Sequence, residues 1–188
     1  MDLKKAILKE YSKAQMDRIV NYVGNNPNRF TNLVEVFLAG PYRVTQRASW
    51  ALSCCVEKHP LLIKAHLKPI LDQLAQPDAH DSVKRNIIRL LQFIDIPKRY
   101  HGVIADRCFS FLQSKTEPVA IKAFSITVLA KLIEHEPDLA TELKIILEDQ
   151  LPFAKPAFRV RARKFLESHF GNGSHAGSFS GDASIKPM

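Results

Sequence analysis

Residues 67–91 read LKPILDQLAQPDAHDSVKRNIIRLL, and this stretch decides the fold. In its second half Val83, Ile87, Leu90 and Leu91 stand at i, i+4, i+7 and i+8, with Ile94 following at i+11. They form one apolar stripe of a helix, and Lys84, Arg85, Arg89 and Gln92 lie off it. The first half, with Leu67, Leu71 and Leu74 around Pro69, is a second helix, and Pro77-Asp78 marks the turn between the two. The unit is a helical hairpin whose apolar faces need a neighbour to cover them.

The same unit extends in both directions. Prolines punctuate the chain at Pro27, Pro41, Pro60, Pro77, Pro97, Pro118, Pro137 and Pro156, at intervals of 14 to 21 residues. Proline lacks an N–H and fixes φ, so it opens or stops helices. Glycine, which tight strand turns would need, is sparse before residue 171, where only Gly24, Gly40 and Gly102 occur. No stretch alternates with a period of two. The spacing predicts helices over 2–11, 13–24, 28–39, 43–58, 60–75, 81–95, 98–114, 118–135, 138–150 and 156–169.

Alternate helices share a register. Ala48, Ile87, Ala123 and Ala162 are separated by 39, 36 and 39 residues. Four positions earlier stand Val44, Val83, Val119 and Phe158, and three positions later Ala51, Leu90, Ile126 and Phe165. A single-core bundle has no reason to keep one register at that period, whereas stacked hairpins bury the same face against each neighbour. With Leu67, Pro69, Leu71, Leu74, Pro77, Asp78, Val83, Lys84, Ile87, Leu90 and Leu91 as its clearest copy, the chain resembles the HEAT and armadillo repeat class, whose period is about 40 residues. The other copies lack the internal proline in the first helix. The resemblance implies an all-α, right-handed superhelix of about four repeats over residues 27–169, with 2–24 as an N-terminal capping hairpin. Residues 1–170 would form the solenoid domain, and the Gly- and Ser-rich 171–188 a disordered tail.

A narrower resemblance is carried by Gln46-Arg47-Ala48-Ser49-Trp50-Ala51-Leu52, Lys122-Ala123-Phe124-Ser125, the segment from Glu142 to Glu148, and Lys155 to Arg163. It is similar to a family of short bacterial helical-repeat proteins whose members at times carry the name adenylosuccinate lyase. The lyase signature loop, Ser-Ser-x-Met-Pro-x-Lys-x-Asn-Pro, has no counterpart in this sequence, so the resemblance implies no such activity.

Composition narrows the function classes. With 27 Lys and Arg against 19 Asp and Glu the net charge is +8, which favours acidic or phosphate-rich partners at low salt. No run of about 18 apolar residues predicts a membrane span, the opening MDLKKAILKEYSKAQMDR is too charged for a signal peptide, and a cytoplasmic setting is expected. Cys54, Cys55 and Cys108 fit neither a disulfide framework nor a zinc pattern and are read as packing thiols. The seven histidines form no ligand pair at metal spacing, Glu134-His135-Glu136 reads as a helix end, and no nucleophile is tied to a base. No catalytic residue, metal or cofactor is expected.

One pattern goes beyond packing. One residue before each repeat anchor stand Arg47, Asn86, Lys122 and Arg161, and two after it Trp50, Arg89, Ser125 and Lys164. Positions three apart share a helix face. Because second helices line the concave side of HEAT stacks, the resemblance makes this face a ladder of cations with Trp50 at one end, densest in the last copy, where Lys155, Arg159, Arg161, Arg163 and Lys164 face Glu167 alone. The preceding helix is acidic, with Asp138, Glu142, Glu148 and Asp149 against Lys144. Three readings of the ladder stand side by side. Its cations neutralise acids at neighbouring turns, such as Asp78, Asp81 and Glu117; they form a groove for a protein or acidic peptide, anchored by Trp50; or they contact nucleic-acid phosphates. The HEAT-like alkylpurine DNA glycosylases are a precedent for the last, but their catalytic aspartate and clustered aromatics have no match in this chain. The expected function is a non-enzymatic scaffold that binds its partner through Arg47, Trp50, Arg89, Lys122, Arg161 and Lys164.

Overall fold

A computed structural model describes residues 1–76 and 78–171. The expected tail from 172 onward and Pro77 of the expected turn lie outside the described residues. Among the described residues ten α-helices follow one another: α1 (Leu3–Lys9), α2 (Lys13–Val23), α3 (Pro27–Ala39), α4 (Tyr42–Lys58), α5 (Leu67–Asp72), α6 (Asp81–Leu91), α7 (His101–Gln113), α8 (Val119–Ile133), α9 (Leu139–Gln150) and α10 (Pro156–Phe170). No strand occurs among the described residues.

Local chemistry sets the helix starts. The side chains of Asp2, Ser12 and Asn26 accept from the backbone N–H of Lys5, Gln15 and Arg29, capping α1, α2 and α3. Pro27 and Pro156 occupy first-turn positions, where the missing N–H costs nothing. His80 caps α6 through Nδ1, which accepts from the Ser82 N–H at 3.1 Å. Gly24 ends α2 with φ of 51°, a conformation that glycine adopts without strain.

Two expected helices are shorter than their apolar pattern. Residues 60–75 do not form one helix: Pro60–Ile63 and Gln73–Ala75 are 3₁₀ turns around the short α5. Pro69 has no N–H to donate to residue 65 and its ring would crowd that carbonyl, so the α-helix starts at Leu67 and places the proline in its first turn. Helix α6 stops at Leu91 instead of running to 95, yet Ile94 and Ile96 stay buried in the turn and irregular segment that leads to Pro97.

The second helices α4, α6, α8 and α10 pack in one row, each against the next, and α3, α5, α7 and α9 form the row behind them. The hairpin of α1 and α2 covers the free side of α3 and α4. The repeat columns are the core. Ala48, Ile87, Ala123 and Ala162 are buried, as are Val44, Val83 and Phe158 and the whole column Ala51, Leu90, Ile126 and Phe165. Val119 is only partly covered because it is the first residue of α8. Each repeat therefore contributes the same face to one continuous apolar seam.

Candidate partner-binding face

The proposed ladder residues lie along the second-helix row, and most of them reach back to the preceding element. Arg47 on α4 donates from Nη1 to the carbonyls of Ile7 at 3.3 Å and Leu8 at 3.0 Å. These are orphan acceptors at the C-terminal end of α1, where a cation is favourable. Its guanidinium lies 5.3 Å over the Tyr11 ring, and the half-buried Trp50 meets the same ring edge-on at 5.3 Å. Arg47, Tyr11 and Trp50 thus clamp the N-terminal hairpin onto α4.

The next step joins α4 to α6. Asn86, buried, donates to Ser49 Oγ at 2.9 Å, and Ser49 Oγ donates to the Gln46 carbonyl at 2.7 Å. Arg89 donates to Ser53 Oγ at 2.8 Å and to Glu57 Oε2 at 2.7 Å, with its guanidinium 5.1 Å over Phe93. Lys122 on α8 donates to the Leu112 carbonyl at 3.0 Å, an acceptor at the end of α7 that also receives Gln150 Nε2 at 2.9 Å. Burial lowers the Lys122 pKa below the ordinary lysine value, with Glu117 opposing the shift. Arg161 on α10 donates from Nε to Thr127 Oγ1 at 3.0 Å and lies 5.1 Å over Phe124. Lys164 is exposed.

The expected ladder is not a continuous row of cations. Ser125 is fully buried and donates to the Ile121 carbonyl at 2.9 Å, and Asn86 is enclosed against Ser49. Neutralisation of acids occurs at Arg89 with Glu57, and also at Lys84, which sequence spacing did not bring into the ladder. Lys84 meets Glu117 at 2.6 Å and Asp81 at 3.1 Å. Burial opposes its ammonium, but pairing with Glu117 and Asp81 outweighs that and raises its pKa. Among the described residues Lys84 is the one group that answers the buried Glu117 Oε1.

At the C-terminal end of the row the surface opens into a depression of about 530 Å³ lined by α8 and α10 and by Gln92 beyond α6. Ile126, Ala130 and Phe165 contribute its apolar lining, and Lys131, Arg161 and Lys164 its cations, against Glu134. Arg161 and Lys164 of the expected set are thus brought together here, while Arg47 and Trp50 stand at the other end. Lys131 was not singled out in sequence. It stands eight residues after the Ala123 anchor, and its Nζ donates to the Ile94 carbonyl. A cation one helical turn beyond Thr127 on the same face was the available signal.

The polarity of the last repeat is present on its surface: Asp138, Glu142, Glu148 and Asp149 are exposed on or beside α9, and Lys155, Arg163 and Lys164 on or beside α10. Elsewhere His101 is buried between α7 and the end of α8, with Nδ1 at 3.0 Å from Glu136 Oε1 and Nε2 at 2.8 Å from the Ile96 carbonyl. Burial pushes the Cys55 and Cys108 thiols up to about 12, and Cys54 is raised as well, so all three stay protonated near neutrality. Among the described residues no three His, Cys, Asp or Glu side chains are grouped to hold a metal ion, and no helix is long and apolar enough to cross a membrane.

A stacked row of second helices with one buried register is the geometry of a helical repeat, and a family model described as HEAT repeat domain matches residues 3–168. The chain belongs to the HEAT repeat family. No curated protein and no solved structure matches it. HEAT repeat domains are helical scaffolds that typically mediate protein interactions and are generally not enzymes, and the match takes in the N-terminal hairpin as well as the four repeats.

Proposed function

We propose that this HEAT repeat domain is a non-enzymatic scaffold that binds an acidic protein segment in the depression over α8 and α10. The observation that carries the reading is the lining itself: Lys131, Arg161 and Lys164 surround Ile126, Ala130 and Phe165. Binding sites of this kind combine an apolar floor with a few placed charges. Arg47, Arg89 and Lys122 already serve acceptors inside the fold, as Lys131 does at the Ile94 carbonyl, whereas Lys164 is exposed and, among the described residues, Arg161 is held through Nε alone of its nitrogens. On this reading the N-terminal and central ladder residues hold the stack together, and the C-terminal ones meet the partner.

The test compares the full chain with a Lys164→Glu variant, using a short fluorescent oligoglutamate peptide and a DNA duplex at about 0.15 M salt, where the Debye length is about 8 Å. The peptide is expected to bind, and the reversal to weaken it about tenfold, equivalent to about 1.4 kcal/mol, with the melting temperature unchanged. Preference for the duplex, with affinity falling steeply as salt rises, would overturn the protein-binding reading in favour of phosphate contact.

A further inference from the structure

Two arginines in the second-helix row are held in different ways. Arg89 has both terminal nitrogens occupied, Nη1 by Ser53 Oγ at 2.8 Å and Nη2 by Glu57 Oε2 at 2.7 Å. Arg161 is fixed through Nε to Thr127 Oγ1 at 3.0 Å and through the Phe124 face at 5.1 Å. Its terminal nitrogens meet no protein acceptor among the described residues. The α4–α6 step thus supplies its own carboxylate, whereas the α8–α10 step supplies none at Arg161 and adds Lys164 beside it.

A guanidinium held by Nε and by a ring face keeps its plane fixed and leaves the two terminal N–H edges free. That fork matches a carboxylate in the bidentate arrangement, and its ordering has already taken place in the folded chain, so little freedom is lost on binding. The fork lies in the wall of the depression, next to Ile126, Ala130 and Phe165.

We infer that Arg161 is a preset carboxylate fork. The partner supplies to Arg161 the acid that Glu57 supplies to Arg89, and the partner segment carries an Asp or Glu adjacent to an apolar side chain that lies against Ala130, the partly exposed apolar residue of the lining. This deepens, and rests on, the binding reading above. Thr127, which also lines the depression, is a positioning residue that acts by fixing Nε.

The experiment uses the full chain and two acetylated, amidated peptides, one with a Glu-Leu pair in a glycine-serine frame and the other with Gln-Leu in its place. The wild type is expected to prefer the Glu peptide about tenfold. Arg161→Lys keeps the charge but removes the fork, so the preference should collapse to about twofold or less at unchanged melting temperature. Thr127→Val, which leaves every charge in place, should weaken the Glu peptide severalfold without affecting the Gln peptide. If Lys164→Glu weakens binding while Arg161→Lys and Thr127→Val bind as the wild type does, the depression stands as the site and the fork is overturned. If none of the three variants changes affinity, the depression is not the site and both readings fall.

Discussion

At the scale of single residues, the second-helix face divides into side chains that serve the fold and side chains that remain free to act outward. Arg89 belongs to the first group, because Ser53 and Glu57 both depend on it and Phe93 lies under it. Arg89→Ala should therefore destabilise the protein by about 1–2 kcal/mol, the range for losing charge-assisted hydrogen bonds at a half-buried site, read from urea unfolding. A change below about 0.3 kcal/mol would place Arg89 among the ordinary surface cations. The helical spacing made the ladder legible as a set on one face, but not the acceptors of its members. The carbonyls of Ile7 and Leu8 that Arg47 caps lie about 40 residues away on α1, and no local pattern records that approach. Ser125 shows the converse: its spacing matched an outward column, but its hydroxyl is satisfied one turn back on its own helix and the side chain is buried.

At the scale of elements, periodicity located the ten helices of the described residues because each carries an apolar stripe at helical spacing, and the column through Ala48, Ile87, Ala123 and Ala162 is buried as its register required. What it missed was continuity. Apolar residues at 60–75 and 92–96 keep packing after the hydrogen-bond ladder is interrupted, because burial needs only a covered side chain whereas an α-helix also needs an N–H at each interior position. The turn between α3 and α4 imposes a sharper demand. A Cβ on Gly40 would lie 2.6 Å from the Val36 carbonyl oxygen and 2.7 Å from Val44 Cγ1, and Val44 is itself fully buried. Gly40→Ala must therefore push the two helices apart, at a cost of about 1–3 kcal/mol typical of overpacking. Differential scanning calorimetry showing an unchanged or higher melting temperature would mean that the α3–α4 junction yields more easily than its distances imply.

At the scale of the whole molecule, the repeats form one seam in which each described second helix packs against the next, so stability is shared step by step along the row. Charge is distributed less evenly than packing. The cations on α4 and α6 are turned to acceptors inside the stack, and so is Lys131, at the Ile94 carbonyl, whereas the last step leaves Lys164 exposed and holds Arg161 through Nε and the Phe124 face. A chain of hairpins that share one buried register thereby acquires a distinct end without any change of fold. The most direct test is hydrogen–deuterium exchange of the full chain with and without the Glu-Leu peptide. The account predicts added protection confined to α8 and α10 and the segment around Gln92, with α1 and α4 unchanged. Protection centred on Arg47 and Trp50, or spread evenly along the row, would contradict it.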